Sequence, residues 1–184
     1  MRLVRLAPIL AAVALLLGAA PAAADGAVLL DRVAARVDER ILLRSDVLAR
    51  ARPFAAKAPD ADPKMIYRQV LAQMVDEILI EKDASRKHVT VSDDEVRRAL
   101  ETILTQNKIG RPELDAELAK NGIAYDEYLL DIRRQILEAK WLELSIASKG
   151  ERPKDPQRLV ELLDARRKQL LDKLHQTSYV DIRE

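Results

Sequence analysis

Few side chains in this sequence have the types and spacing that catalysis requires. The two histidines, His88 and His175, are far apart, and neither belongs to a metal-binding pattern such as H-E-x-x-H. We interpret both as solvent-facing or helix-capping residues. Ser45 and Ser92 each precede a predicted helix, where a serine oxygen accepts a hydrogen bond from a backbone N–H group, and this N-cap role accounts for both positions. These residues therefore predict no nucleophilic or acid–base centre.

The acidic run Asp93-Asp94-Glu95 is the strongest candidate for a cation site. It lacks the ligand spacing of a calcium loop, and the helix dipole favours acidic residues in a first turn anyway. The sequence has five glycines but no glycine-rich phosphate loop, and without cysteine it excludes disulfides and thiol chemistry. We therefore predict that the protein is not an enzyme and has no metal ion or cofactor.

The first 24 residues have the organisation of a secretory signal peptide. Arg2 and Arg5 give a positively charged start, residues 6–17 form an apolar run, and Ala22-Ala23-Ala24 is a small-residue cleavage site. The apolar run is roughly a dozen residues, short of the about 20 that span a bilayer. We expect cleavage after Ala24 and a periplasmic protein without stable membrane insertion.

The charge balance gives no argument for a nucleic-acid partner. All 30 acidic residues lie at or after Asp25, whereas removal of Arg2 and Arg5 leaves 29 basic residues, so the mature chain has a formal charge of −1. Two basic clusters, Arg133-Arg134 and Arg166-Arg167-Lys168, lie near acidic residues of their own predicted helices. We interpret them as salt-bridged, solvated faces.

The start of the mature chain predicts a β-hairpin. Residues 33–37 alternate between the two faces of a half-buried strand, Asp38-Glu39-Arg40 forms a polar turn, and Ile41-Leu42-Leu43 is a second short strand. An isolated hairpin is marginal in water and needs a third strand or a helix. The end of the chain, Ser178–Arg183, also alternates, and we predict that it supplies this third strand.

Between these strands the sequence predicts helices with recognisable ends. Ser45 is the predicted N-cap of the first, which should end near Ala51 because prolines come after it. Asp62 caps the second, and Ser92 with Glu95 forms a capping box for the third. The predicted helices are Ser45 to about Ala51, Pro63 to about Lys87, one starting at Ser92, Pro112 to Asn121-Gly122, Asp126 to Ala147, and Pro156 to about His175.

Four segments, in the same order, resemble the SurA family of periplasmic chaperones. The segment DRVAARVDERILLRSDV resembles the family's mature start, although the family usually has Asn and Gly in the turn where this chain has Asp38-Glu39-Arg40. The central helices, IYRQVLAQMVDEILIEKDASRKHVTVSDDEVRRALETILTQNKI, are similar to the family's chaperone region. The segments ELDAELAKNGIAYDEYLLDIRRQILEAKW and RRKQLLDKLHQTSYVDIRE resemble the next helices of the family and its C-terminal helix and strand.

The resemblance implies a mainly α fold, a multi-helix SurA-like chaperone core with a small antiparallel sheet formed by the N-terminal hairpin and the C-terminal strand. It implies a core at residues 25–148, a linker at 149–155, and a helix and strand at 156–184 that complete the core. Many family members carry parvulin-type prolyl isomerase modules before the C-terminal helix. The few residues of 148–155 cannot hold a domain with its own core, so we expect no isomerase activity.

The function that the resemblance implies is an ATP-independent holdase for unfolded outer-membrane or exported polypeptides. Such a protein would bind clients in shallow apolar grooves between helices, through several weak contacts. Methionine adapts to varied partners, and tyrosine and tryptophan are frequent anchors. Apolar residues at helical spacing are also typical of a core, which leaves a packing role open for each candidate. The predicted client-binding residues are Met65, Leu71, Met74, Tyr125, Tyr128 and Trp141.

An alternative hypothesis is a structural or interaction protein with one dedicated partner. If the final helix and strand passed to a neighbouring subunit, two chains would form a domain-swapped homodimer.

Overall fold

The computed structural model describes residues 31–147, 150 and 153–183. The predicted signal peptide, its cleavage site after Ala24 and part of the predicted linker lie outside the described residues. Within the described ranges, no helix has both the length and the apolar composition needed to cross a membrane. The elements are β1 (Val33–Val37), β2 (Arg40–Leu43), α1 (Arg44–Lys57), α2 (Pro63–Arg86), α3 (Asp93–Asn107), α4 (Arg111–Lys120), α5 (Tyr125–Ala147), α6 (Pro156–Thr177) and β3 (Val180–Ile182).

Local capping chemistry fixes where several helices begin. The carboxylate of Asp62 accepts a backbone hydrogen bond of 2.9 Å in the first turn of α2. At α3, the Ser92 hydroxyl accepts the Glu95 N–H at 3.3 Å, and the Glu95 carboxylate accepts the Ser92 N–H at 2.8 Å. These bonds satisfy N–H groups that have no partner within the helix. The predicted start of α2 and the predicted capping box of α3 are confirmed.

The prediction for the first helix is wrong at both ends. Ser45 lies inside the first turn of α1 rather than at its N-cap. Its N–H donates to the carboxylate of Asp31 at 3.3 Å, and its hydroxyl donates to the same carboxylate, so Asp31 caps the helix from the preceding segment. At the other end, α1 does not stop near Ala51 but continues through Pro53 to Lys57, because packing along α2 compensates for the one backbone hydrogen bond that proline removes.

The three strands form one antiparallel sheet in the order β2-β1-β3. The two ends of the described chain meet there, since Ala35 pairs with Ile182 and Val37 pairs with Val180. The prediction that the C-terminal segment completes the hairpin is confirmed, and so is the mainly α class with a small sheet.

Asp38 joins the hairpin turn to the C-terminal strand. Its backbone N–H donates to the Tyr179 carbonyl at 2.8 Å, and its carboxylate accepts the Tyr179 N–H at 3.0 Å. The carboxylate also accepts a hydrogen bond from Lys82 of α2. The bonds from Lys82 and Tyr179 hold the pKa of Asp38 below its ordinary value. Asp38 has a φ of 51°, in the left-handed region that aspartate adopts more readily than most residues with a side chain.

The core consists of two buried clusters that share α5. The first lies between the sheet, α1, α2, α6 and the C-terminal half of α5, and includes the fully buried Trp141. The second joins α3 and α4 to the N-terminal half of α5 around Ile132. Because α5 belongs to both clusters, it holds the α3–α4 pair against the rest of the molecule. The buried members of the second cluster are Val96, Leu100, Leu114, Leu118 and Ile132.

Deletion of Tyr179–Glu184 should destabilise the hairpin at the other end of the chain. The deletion removes β3 and with it the backbone partners of β1 on that side, so we expect the free energy of unfolding to fall by about 2–4 kcal/mol, measured by urea denaturation. Ile182→Ala, which keeps the strand backbone and trims a side chain that is 50% exposed, is the control and should change stability by less than about 1 kcal/mol. Unchanged stability after the deletion would contradict the role of the third strand.

The α3–α5 contact should weaken in acid because of Glu95. Hydrogen bonds from Lys140 at 2.8 Å and from Ser92 lower the pKa of Glu95 from 4.5 to about 2. A carboxyl whose pKa is lowered by folding stabilises the protein above its unfolded-state pKa, and this stabilisation is lost as the pH falls towards its folded-state pKa. We expect Glu95→Gln to lower the free energy of unfolding at neutral pH, and the difference from the unmodified protein to shrink between about pH 5 and about pH 2.

Urea denaturation at several pH values measures that difference. Glu101→Gln, on the exposed side of α3, is the matched control and should change the free energy of unfolding at neutral pH by less than about 1 kcal/mol. A Glu95→Gln difference that stays constant with pH would show that the carboxylate is not the stabilising group.

Candidate functional site

A groove of about 790 Å³ lies between α1, α2 and the N-terminal half of α5. Residues of β2 and of the α4–α5 connection also line it. Met74, Ile78 and Leu137 contribute apolar surface that is only partly covered by the first core cluster. We call this cavity the α1–α2–α5 groove.

Three large apolar side chains that line the groove are exposed. Ile41 is 57% exposed, Phe54 49% and Leu130 49%. They come from β2, α1 and α5, so three separate elements direct apolar surface to one place. Exposed apolar side chains that converge in this way mark interaction surfaces, whereas isolated ones need no explanation.

An ion-pair network beside these residues links the three helices. Arg50 of α1 donates two hydrogen bonds to Glu77 of α2, at 2.8 and 2.7 Å, and a third to Asp131 of α5 at 3.2 Å. Arg134 pairs with Asp131 and lies 3.7 Å from Glu77. The side chains of Arg50 and Glu77 are only 16% and 19% exposed. Because a two-pronged arginine–carboxylate pair has a fixed geometry, the network sets the spacing of the helices and keeps the groove formed.

The groove therefore combines open apolar surface with charged side chains that bond to one another. Within the described ranges, no three His, Cys, Asp or Glu side chains are placed to hold a metal ion. The carboxylates Glu77 and Asp131 already accept hydrogen bonds from the arginines of the groove. The groove thus presents apolar surface bordered by charged side chains, several of which are paired.

The structure brings one of the six predicted client-binding residues into the groove. Met74 lies on its α2 wall. Met65, 60% exposed, is at the start of the same helix and does not line the groove. Tyr125 and Tyr128 are half-buried against the second core cluster, where burial raises the pKa of Tyr128 and the Arg111 guanidinium lies 3.4 Å from the centroid of the Tyr125 ring.

Leu71 and Trp141 are core residues in this structure. Leu71 is 2% exposed and Trp141 is fully buried. The indole N–H donates to the Asp83 carboxylate at 2.7 Å, and the Lys87 ammonium lies 5.6 Å from the ring centroid. Burial acts to raise the pKa of Asp83, but the bonds from Lys87 and Trp141 outweigh it and leave this pKa lowered. A client would reach the indole only if the helices separated, so we assign Trp141 to packing.

Sequence reasoning misses Ile41, Phe54 and Leu130. Ending the first helix before Pro53 places Phe54 in a loop. If the helix continues through the proline, Phe54 follows Arg50 by four residues and lies on the same helical face. This spacing, in the chain's one phenylalanine, is the signal that could have found the site.

The histidines and basic clusters lie among structural contacts. His88 follows the end of α2 with a φ of 57°, and His175 Nε2 lies 2.8 Å from the Asp76 carboxylate. Arg134 pairs within its own helix, as predicted. Arg133 and Arg167 instead pair with acidic residues of α3 and α5, so they connect helices, which corrects the interpretation of both clusters as faces paired along one helix.

Comparison with known proteins identifies relatives over most of this region. The family model described as the SurA N-terminal domain matches residues 30–141, which include every residue that lines the groove. A protein named Chaperone SurA from Ralstonia nicotianae is 30% identical over 137 residues, which cover 70% of this chain and 28% of the relative. A Chaperone SurA from Sodalis glossinidius is 32% identical over 115 residues, covering 60% and 27%. The chain therefore spans less than a third of the length of these relatives.

Removal of one carboxylate from the network should loosen the groove. In Glu77→Gln the Arg50 guanidinium loses its two-pronged partner in a half-buried place, so we expect the free energy of unfolding to fall by about 1–3 kcal/mol in urea denaturation. Arg97→Gln breaks a pair with Asp94 whose side chains are 65% and 68% exposed, and this control should change stability by less than about 1 kcal/mol. Equal effects of the two substitutions would mean that the network does not hold the helices.

Proposed function

The chain belongs to the SurA N-terminal domain family, and on this basis we propose that it is a periplasmic, ATP-independent holdase chaperone. Its clients would be unfolded outer-membrane or other exported polypeptides. The observation that carries the proposal is the α1–α2–α5 groove, where exposed Ile41, Phe54 and Leu130 converge beside a network that keeps the helices apart.

The groove suits a weak and unselective apolar ligand. Its volume of about 790 Å³ accommodates several side chains of an extended segment. Burial of apolar surface contributes roughly 25 cal/mol per Å², so the release of water from Phe54 and Leu130 favours any apolar side chain of suitable size. Met74 contributes an unbranched side chain that can adapt to different ligands. Low selectivity is what a protein needs if it receives many different unfolded chains.

A holdase of this kind needs no nucleotide. It binds the unfolded client and not the folded one, so mass action alone lowers the concentration of free, aggregation-prone chains. We further propose that this chain lacks prolyl isomerase activity, because residues 148–155, between α5 and α6, are too few to form a further domain. The signal-peptide pattern of residues 1–24 supports a periplasmic location.

A size measurement of the mature protein distinguishes a monomeric chaperone from the alternative, a domain-swapped homodimer. α6 packs on α2 and α5 of its own chain, and β3 pairs with its own β1, an arrangement that needs no second subunit. A swapped dimer would form the same contacts between two chains, so the measured size of the protein decides between them. A stable dimer that covers the groove would favour the alternative.

The double variant Phe54→Ser/Leu130→Ser tests the proposal. We expect the mature protein to suppress aggregation of an outer-membrane protein diluted from urea without nucleotide, as followed by light scattering. The double variant should lose most of this suppression, while its stability changes by less than about 1 kcal/mol because both side chains are half-exposed.

The matched control is Leu144→Ser/Val160→Ser. These side chains are 43% and 57% exposed but do not line the groove, so their loss should leave suppression unchanged. Failure of the unmodified protein to suppress aggregation at excess would refute the holdase function. Equal loss of suppression in both double variants would refute the groove as its site.

A further inference from the structure

A second pocket, of about 780 Å³, lies between the start of α2 and the sheet. It shares no lining residue with the α1–α2–α5 groove, and it meets the sheet where β1 begins and β3 ends. We call it the basic pocket, because arginine and lysine side chains from the start of α1, from α2 and from residues next to β1 and β3 line it.

The charge of this pocket has one sign. Its basic lining residues are Arg32, Arg44, Lys64, Arg68 and Arg183, and none of its described lining residues is acidic. Arg183 bonds to the neighbouring Asp181 at 2.9 Å. The whole sequence is nearly balanced, with 31 basic and 30 acidic residues, so this accumulation is local. An anionic ligand is the charge complement of such a surface.

The pocket also has an apolar side. Val33, Tyr67 and the buried Leu71 line it together with Ile182, which is 50% exposed. A small inorganic anion would leave this apolar surface uncovered. The ligand that matches the pocket therefore carries both negative charge and apolar groups.

The strand beside the pocket lies at an edge of the sheet. Among the described strands, β3 is at one edge and β2 at the other, and the inner side of β3 is fixed by hydrogen bonds from Asp38 N–H to the Tyr179 carbonyl and from Arg183 N–H to the Ala34 carbonyl, both 2.8 Å long. Because backbone groups alternate along a strand, the N–H and C=O groups of Val180 and Ile182 point away from β1. An outer edge of this kind is a template for one more strand.

We propose that the basic pocket binds an acidic, extended polypeptide segment that pairs with β3 as a fourth strand. The segment's backbone would bond to Val180 and Ile182. On the side of the segment that faces the pocket, which carries every second side chain, carboxylates would face Arg32 and Lys64 and apolar groups would cover Tyr67 and Ile182. A lipid head group would match the charges but not the backbone edge. This site is separate from the groove and does not depend on the holdase function.

Fluorescence anisotropy tests the proposal with a short labelled peptide in which every second residue is in turn glutamate or valine and the residues between them are threonine, so that both side chains face the pocket. The mature protein should bind it, bind a lysine–valine counterpart at least about tenfold more weakly, and lose affinity as salt is added. Arg32→Gln/Lys64→Gln should weaken binding at least about tenfold. The matched control, Arg97→Gln/Lys120→Gln, removes two exposed charges outside the pocket and should leave binding within about twofold.

Amide hydrogen exchange on the unmodified protein gives a second readout that needs no variant. The bound peptide should slow exchange at Val180 and Ile182, which a purely electrostatic contact would not protect. No preference for the acidic peptide, or unchanged exchange at β3, would overturn the proposal. Binding to phosphatidylglycerol vesicles in place of the peptide would overturn it in favour of a membrane surface.

The groove variant Phe54→Ser/Leu130→Ser separates the two proposals. It should bind the acidic peptide as the unmodified protein does. If the unmodified protein suppresses aggregation but does not bind the peptide, only the basic pocket is refuted. If it binds the peptide but does not suppress aggregation, only the holdase function is refuted.

Discussion

The pairing of β1 with β3 is the constraint on which the rest of this structure depends. It fixes where α6 must end, because β3 follows that helix after two residues, and it thereby presses α6 onto α2 and α5. Asp38 secures the pairing by its backbone, by its carboxylate and by its bond to Lys82 of α2. One residue in a two-residue turn thus ties the sheet to the longest helix and to the C-terminal strand. In this turn, a side chain that accepts two hydrogen bonds stands where the SurA family usually has Asn and Gly.

The groove depends on how α1, α2 and α5 are held next to the three-stranded sheet. A binding surface must leave apolar side chains uncovered without allowing its walls to collapse on them. Here Arg50, Glu77 and Asp131 keep α1, α2 and α5 at a fixed spacing, and Phe54 and Leu130 project beside them. Half-buried ion pairs contribute modestly to stability, because desolvation offsets much of their attraction. Their contribution in this molecule is geometric, since the two-pronged bond between Arg50 and Glu77 fixes how α1 lies against α2.

The sequence predicts the parts of this fold that are governed by local chemistry. Some helix caps form between residues no more than three positions apart, as at Asp62 and at Ser92 with Glu95. Such contacts can be predicted from sequence spacing alone. The third strand is predictable because an alternating segment near the C-terminus has an unsatisfied hairpin to pair with. Ser45 is harder, since its partner Asp31 lies 14 residues earlier and nothing in the sequence indicates that the chain returns there.

The site is less predictable than the fold for a related reason. Periodicity shows that Trp141 and Phe54 lie on apolar helical faces, but not which face a neighbouring helix covers. The indole is fully buried in the first core cluster, whereas Phe54 lies beyond a proline that local rules treat as a helix end. Exposure depends on tertiary packing, and a single sequence contains no direct record of it.

The bond between Asp38 and Tyr179 joins residues 141 positions apart. A growing polypeptide leaves the ribosome N-terminus first, so β1 has no partner on its β3 side until all six described helices have been synthesised. Helices can form early, yet the hairpin stays an incomplete template throughout that time. Closure of this molecule therefore cannot precede the appearance of all six helices, and the chain stays open and threadable until β3 is available to pair.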